Sequence, residues 1–456
     1  MTRARHPLEQ IVADRQCMGC GFCTLIKASA SGDNAPTVTM AYDEKLDHAV
    51  PRISGWTPGE DAGAFVCPGA EMDMPTQARN AYGHEPEDPM LGEIVSLRAA
   101  YAADTETRDA SASGGVVPAV LARLFQTGVI DAAYTLRDTD KVAETRGALV
   151  HTAAQLKTIH GSVYHPANFG SGLQDLVGGT ERFAFVGLPC EIAALQSLKS
   201  LYPAIAKRHV LSIGLFCGGI NSHRGIDYYL SRFGVRWSDV DAVDYRSGPW
   251  PGGIKLATRD GSERRIPRIA HNTRWKILRY VIAFQGYWML PRCRICPDQI
   301  SDFADIAVGD PHLPRFRARN GDGFSVVISR TPHGEAVLKD AIAAGQLIEE
   351  PITRDEVIRS QGTTLDNRRH AEAYVAVARL LGLTPPRITV YAALRGRAAW
   401  RHYRYAFVDL MKLVLPQNRF LRALYLPWQI FEYVFITFAP NLIGRRIANL
   451  LRNRAG

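Results

Sequence analysis

Three cysteines at intervals of three residues, Cys17-Met-Gly-Cys20-Gly-Phe-Cys23, constrain this chain more tightly than any other stretch of its sequence. That spacing lets one short loop present three thiolates to a common centre, and the interleaved glycines let backbone N–H groups approach the sulfurs. A ferredoxin-type run would place a fourth cysteine at position 27, where this chain has Lys27, so Cys67, followed by Pro68, is the expected fourth ligand. A structural zinc site is the alternative, because C-x2-C pairs also bind zinc tetrahedrally. The surrounding residues, from about 15 to 75, are rich in Gly, Pro and Asp with little sustained periodicity, as expected of a unit folded around a metal.

Four cysteines remain: Cys190 in Leu188-Pro-Cys190, Cys217 in Phe216-Cys217-Gly-Gly219, and the pair Cys293 and Cys296 in Arg292-Cys-Arg-Ile-Cys-Pro-Asp298. Only the last pair forms a local motif. Zinc, buried structural thiols and a catalytic thiol stay open for this set, although a nucleophile would need a base partner that the sequence does not offer. Position favours a second four-cysteine centre. Phe183–Gly187 and residues 210–216 are short apolar runs of the buried-strand type, each leads directly into a cysteine, and helical patterns come next at 191–201 and 224–233. A strand over 130–136 comes after a helix opened by Ser113-Gly-Gly115, and Asp305–Asp310 is another strand ending in a polar turn. The expected fold is therefore α/β: a mixed-sheet body with helices, preceded by a small cysteine-rich iron–sulfur module and followed by a helical basic and aromatic tail.

The charge belongs to that tail. Beyond Tyr391 eleven Lys or Arg stand against Asp409 and Glu432, which accounts for the entire formal charge of +9 and leaves the body neutral. Between Arg422 and Arg445 lie twenty-two largely apolar residues, but Glu432, Pro427 and Pro440 interrupt them. A mid-membrane charge is costly, so a helix lying in a membrane interface, or packed on the body or a partner, is expected rather than one that spans. The first fourteen residues contain no unbroken apolar run of the secretory type, so a reducing, cytoplasmic setting is expected, peripheral to the inner membrane if the tail binds lipid.

Several blocks, taken in order, carry a resemblance: Ser113-Gly-Gly115, Gly161-Ser-Val-Tyr164, Val186-Gly-Leu-Pro-Cys190, Gly214-Leu-Phe-Cys-Gly-Gly219, and Arg292 through Cys296-Pro-Asp298 to Ala304–Asp310. In these blocks the chain resembles the beta-subunit family of coenzyme F420 hydrogenases and dehydrogenases. The resemblance implies family units at 92–170 and 175–345, FAD, and one or two [4Fe-4S] clusters; the cysteine spacing and the charge pattern add an iron–sulfur module at 1–80 before them and a tail, outside the shared blocks, at 387–456. It implies an oxidoreductase passing electrons between two clusters and FAD to reduce or oxidise an organic substrate, in polysaccharide or cofactor metabolism. The other reading is an electron-transfer subunit of a larger complex.

Neither a G-x-G-x-x-G fingerprint after a strand nor a P-loop is present. The flavin contacts expected instead are Ser113, Gly114 and Gly115 at a helix start, Gly161, Ser162 and Tyr164, and Gly309, Asp310 and His312 past a strand end. His165 or His312 would supply a proton. The expected partners are reduced ferredoxin or another electron donor, an organic substrate, the inner-membrane surface through 391–456, and a second copy of the chain; nucleic acid is not among them.

Overall fold

A computed structural model of the chain describes residues 5–27, 36–138, 145–158, 161–231, 233–267, 288–319, 322–396 and 398–414. Its centre is an eight-stranded mixed sheet. Across the sheet the strands run Leu347–Pro351, Ser96–Ala102, Ser325–Ser329, Ile306–Gly309, His209–Leu215, Phe183–Gly187, Ala132–Asp138 and Thr145–Val150. The four from Ile306–Gly309 to Ala132–Asp138 are mutually parallel, and the outer pairings are antiparallel. The two innermost of these parallel strands are buried on both faces, which explains their unbroken apolar sequences. Phe183 and Phe185 enter one core cluster with Phe22, Phe169 and Leu195, while Ala184 and Val186 enter another with Val120, Leu124 and Leu338.

Helices cover both faces. Val116–Gln126 and Pro332–Ala343 pack on the side of Val186, and Pro189–Leu201 packs on the side of Phe185. The strands and helices foreseen around 183–231 and 305–310 are present with ends shifted by one or two residues. Others were not foreseen. Thr37–Asp43 and His48–Ser54 pair as an antiparallel hairpin inside the cysteine-rich segment. Val240–Ser247, Gly253–Thr258 and Glu263–Pro267 form a separate three-stranded antiparallel sheet over a core of Ile226, Tyr229, Leu230, Tyr245 and Leu256. A long helix spans Gly362–Leu380.

Past the Thr384-Pro-Pro386 turn the chain does not leave the body. Arg387–Thr389 pairs in parallel with Glu71–Asp73, and the Gln16 side chain donates to the Thr384 carbonyl at 3.1 Å. Helix Trp400–Val414 packs on Gly362–Leu380, and the remainder of the expected tail, 415–456, lies outside the described residues. No helix among the described residues is long and apolar enough to cross a membrane.

One buried network ties these pieces together. Asp302 accepts from Arg368 at 2.7 Å and from the Tyr391 hydroxyl at 2.7 Å, with Arg330 at 3.5 Å, and both guanidiniums are almost wholly buried. Arg330 also donates to the carbonyls of Leu91, Glu93 and Ile300, and Arg368 to those of Met90 and Pro297. The turn after Cys296 is thereby fastened to the 89–93 connection, to the long helix and to the segment beyond Pro386. Removing one partner of such a buried set strands the other charges, at a cost of about 3–5 kcal/mol. Arg368→Met is therefore expected to lower the thermal unfolding midpoint well below that of the parent, and an unchanged midpoint would refute the bracing role.

Candidate functional site: two thiol groups and an arginine-clamped junction

Adjacent parallel strands finish side by side, so the residues just beyond them must converge at their carboxyl edge, where open α/β sheets place their ligands. Cys190 lies in the first turn of the helix after Phe183–Gly187, and Cys217 lies two residues beyond His209–Leu215. The Cys217 N–H donates to the Gln299 carbonyl at 2.9 Å, bringing in the loop that carries Cys293 and Cys296. All eight cysteines are free thiols.

The other four converge from the amino-terminal segment. Gly19 and Gly21 have φ of +74° and +81°, which turns the loop back on itself between successive thiols. The Gly19 N–H points at Cys17 Sγ, 3.4 Å away. A Cβ on Gly21 would lie 2.5 Å from Asn168 Oδ1 and 3.0 Å from Gly170 Cα, so the loop sits flush on the body. Phe22, between two of the thiols, stacks on Phe169 with ring centroids 6.0 Å apart. Lys27, which stands where a ferredoxin would carry cysteine, exchanges both backbone hydrogen bonds with Ala64 at 2.8 Å, and the returning chain brings Cys67 into the apolar cluster that contains Cys23. Cys17, Cys20, Cys23 and Cys67 line one cavity with Leu8, Met40 and Val66.

Burial pushes every one of these thiols up, Cys17 to about 12 and Cys293 to about 11, and neighbouring thiolates add to the rise at all but Cys67 and Cys296. Those influences sort the residues into two sets: Cys20 and Cys23 each feel Cys67 and Cys17, while Cys217 feels Cys293 and Cys296. The sets adjoin. Cys190 feels Cys296, Cys217 and also Cys20, and Met18 packs with Cys293, Cys190 and Leu290. Among the described residues no three Cys, His, Asp or Glu stand close enough to share a single metal ion. A four-iron core interposes its own iron and sulfide between the thiolates and does not require that closeness.

Beside the thiols lies a polar junction held by a residue that sequence reasoning missed. Arg246, from the three-stranded sheet, is buried and donates to Asp310 at 3.0 Å, to the Tyr164 hydroxyl at 3.4 Å, to the Pro251 carbonyl at 3.0 Å and to the Ala112 carbonyl. Trp250 Nε1 reaches Asp310 at 3.4 Å. Three of the sequence blocks, around Ser113, Tyr164 and Asp310, therefore meet at one guanidinium, and exposed Gly161 lies against Ala112. Ser162 is half-buried beside it. A Cβ on Gly309 would run into the Phe216 ring, so this junction adjoins Cys217. The His312 N–H is bound to Ser360 at 2.8 Å.

Two expectations change in detail. The Ser113 hydroxyl donates to the Phe324 carbonyl and the Gly114 N–H to Ser325 Oγ at 3.0 Å, so both are committed to the neighbouring strand. The uncapped N–H groups are those of the helix that begins after Gly115, whose φ is +74°. His165 is fully buried with Nδ1 on the Tyr245 hydroxyl at 2.8 Å and Nε2 on Thr145 at 3.3 Å, which is the setting of an interior strut. No sequence pattern marked Arg246, since its side-chain partners Asp310 and Tyr164 are separated from it by more than sixty residues.

Comparison with known proteins agrees with this architecture. Residues 97–174 match the model of the coenzyme F420 hydrogenase/dehydrogenase beta subunit N-term, and 180–355 that of its C terminus, together more than half of the chain. The coenzyme F420 hydrogenase subunit beta of Methanothermobacter thermautotrophicus is 24% identical over 309 residues, covering 65% of this chain and 99% of that one. The coenzyme F420-dependent sulfite reductase of Methanocaldococcus jannaschii is 23% identical over 81% of this chain but 53% of its own length. In fold, the chain is similar to one from the F420-reducing [NiFe] hydrogenase complex of Methanosarcina barkeri, with a TM-score of 0.50 at 20% identity, covering 66% of this chain and 98% of that one. The chain thus belongs to the coenzyme F420 hydrogenase/dehydrogenase beta subunit family and is an oxidoreductase of that type.

Proposed function

We propose that the chain holds one [4Fe-4S] cluster on Cys17, Cys20, Cys23 and Cys67 and another on Cys190, Cys217, Cys293 and Cys296, and passes electrons between them and FAD to reduce or oxidise an organic substrate. The observation that carries this reading is the junction of the two thiol groups, where Met18 packs on Cys190 and Cys293 and Cys20 neighbours Cys190. Support comes also from the donor chemistry: eight free thiols, backbone N–H groups aimed at Cys17 and Cys217 at 3.4 and 3.3 Å, and a buried guanidinium beside both groups. When bound, such clusters carry single electrons while a flavin exchanges pairs.

The chain's own residues would then bind and orient. The uncapped helix start after Gly115 offers N–H groups to a pyrophosphate. Arg246 fixes Tyr164 and Asp310 in one orientation, and the Arg246–Asp310 pair, almost wholly withdrawn from water, keeps this junction rigid. Phe216, pressed on Gly309, fills the space between that junction and Cys217.

The relatives named as hydrogenase subunits favour a second reading, in which the chain relays electrons within a larger assembly and substrate chemistry belongs to a partner. Incubation of the anaerobically purified chain with dithionite and candidate acceptors separates the two: a self-contained reductase turns a substrate over alone, and a relay reduces only added electron carriers. For the tail we propose attachment to an anionic membrane surface. Trp400, Tyr403 and Phe407 are exposed on helix Trp400–Val414 with Arg401 and Arg404 among them, the aromatic and cationic mixture that lies at a lipid interface.

Anaerobic purification is expected to give a brown protein whose iron and acid-labile sulfide match two four-iron clusters and whose flavin is FAD; a colourless, iron-free preparation would sink the reading. Cys190→Ser should lower the iron content and uncouple a still-bound flavin from reduced donor, and a variant with full electron transfer would remove Cys190 from the second set. Full-length protein should float with vesicles containing anionic lipid, whereas a full-length variant with exposed Trp400, Tyr403 and Arg404 replaced by Ser should float less; equal behaviour of the two would count against this surface.

A further inference from the structure

Arg292 is the side chain that the site leaves unexplained. It is completely buried, it precedes Cys293 directly, and its Nε donates at 3.2 Å to the carbonyl of Pro68, the residue after Cys67. It therefore belongs to one thiol group by sequence and touches the other in space. Its two terminal nitrogens, Nη1 and Nη2, are buried with no hydrogen-bond partner among the described residues. An arginine cannot shed its proton, and a buried unpaired guanidinium is costly. The neighbouring Arg294 is different, since it pairs with Asp409 at 3.0 Å. Nothing acidic pairs with Arg292 among the described ion pairs.

The groups around Arg292 are sulfur. Cys293 follows Arg292 directly, and Cys67 directly precedes the Pro68 whose carbonyl the Arg292 Nε reaches at 3.2 Å, so the guanidinium lies next to a thiol of each group. Protonated thiols do not compensate a guanidinium. Four thiolates around an iron–sulfide core do, because such a centre is negative in both of its working oxidation states.

We infer that Arg292 is a counter-charge shared by both clusters, placed between them so that one guanidinium stabilises the added electron on either side and keeps their reduction potentials matched for transfer. This rests on the two-cluster reading proposed above. Each reduction adds one electron and no proton to a cluster, so the negative charge rises by one at a site where water is excluded. A fixed positive charge beside it favours the reduced form. A charge serving one cluster only would hold the two potentials apart; one between them raises both.

The test uses full-length protein prepared without oxygen, with iron counted first and both clusters followed by electron paramagnetic resonance during a mediated redox titration. If the parent lacks two clusters, the underlying proposal fails before Arg292 is in question. Given two clusters, Arg292→Gln is expected to shift both midpoint potentials downward by a tenfold or greater change in equilibrium constant, which is about 59 mV for a one-electron couple. Arg292→Lys, which keeps the charge, should hold both within that margin of the parent. A shift in one cluster alone, or in neither, overturns the inference. If Arg292→Gln and Arg292→Met lose iron, retention of both clusters by Arg292→Lys at parent potentials supports the charge role, and loss of iron from Arg292→Lys as well assigns the residue to packing and overturns it.

Discussion

Eight thiols withdrawn from water and divided between two adjoining groups set the terms for the rest of this molecule. Each buried thiol resists ionisation, and each thiolate that forms makes its neighbours harder to ionise, as the rise at Cys190 from Cys296, Cys217 and Cys20 illustrates. Such a cluster of like charge survives in a fold only where metal withdraws the protons and positive groups answer the charge that remains. The architecture supplies the geometry for this with little freedom. Two thiols come from the carboxyl ends of neighbouring parallel strands, two from a loop hydrogen-bonded to Cys217, and four from a segment that Phe22 and Gly21 press onto the body. Shifting any one of these supports moves a thiol of one group relative to the other.

Positive charge in the interior obeys the same logic. Arg292, Arg294, Arg330 and Arg368 are among the largest fully buried side chains. Three of the four are answered by carboxylates, Asp409 or Asp302, and Arg330 and Arg368 also bind backbone carbonyls at the turns they brace. Burial together with the nearby Asp302 pushes Asp298 up, so the stretch just past Cys296 is one where charges of both signs have been packed closely. The network holds the Cys293–Cys296 loop in a fixed relation to the 89–93 connection. A body that is neutral overall thus contains strong local fields, which formal charge alone conceals.

How much of this was legible in the sequence depended on the range of the interaction involved. The first three cysteines and the strands leading to Cys190 and Cys217 were readable because their signals, a three-residue interval and an apolar run ending in a turn, are local. The hairpin of Thr37–Asp43 with His48–Ser54 was hidden because it buries one narrow face and leaves Tyr42 and Arg52 outside, so its alternation is faint. The three-stranded sheet escaped for a similar reason, with strands such as Glu263–Pro267 carrying mostly charge. Arg246 and Arg292 could not be read at all. Their roles are defined by Asp310, Tyr164 and Pro68, partners that only the tertiary fold brings within 3.0–3.4 Å.

The strand order also decides how the Arg246 junction and the thiols relate. Because His209–Leu215 and Ile306–Gly309 are hydrogen-bonded neighbours running the same way, Cys217 and Asp310, which lie just beyond them, emerge on the same edge of the sheet. Phe216 donates its N–H to the Val308 carbonyl at 2.8 Å and its ring fills the space that a side chain at 309 would need. The absence of a side chain at Gly309 is therefore what lets the two edges close. Any side chain there would force Phe216 outward, and with it the cysteine attached to its carbonyl. Gly309→Ala would then disturb the junction around Arg246 and the group around Cys217 together, although it carries no donor, no acceptor and no charge. The coupling between the two halves of this site is thus a matter of packing at one strand pair, set by which strands are neighbours and not by any polar residue of the junction itself.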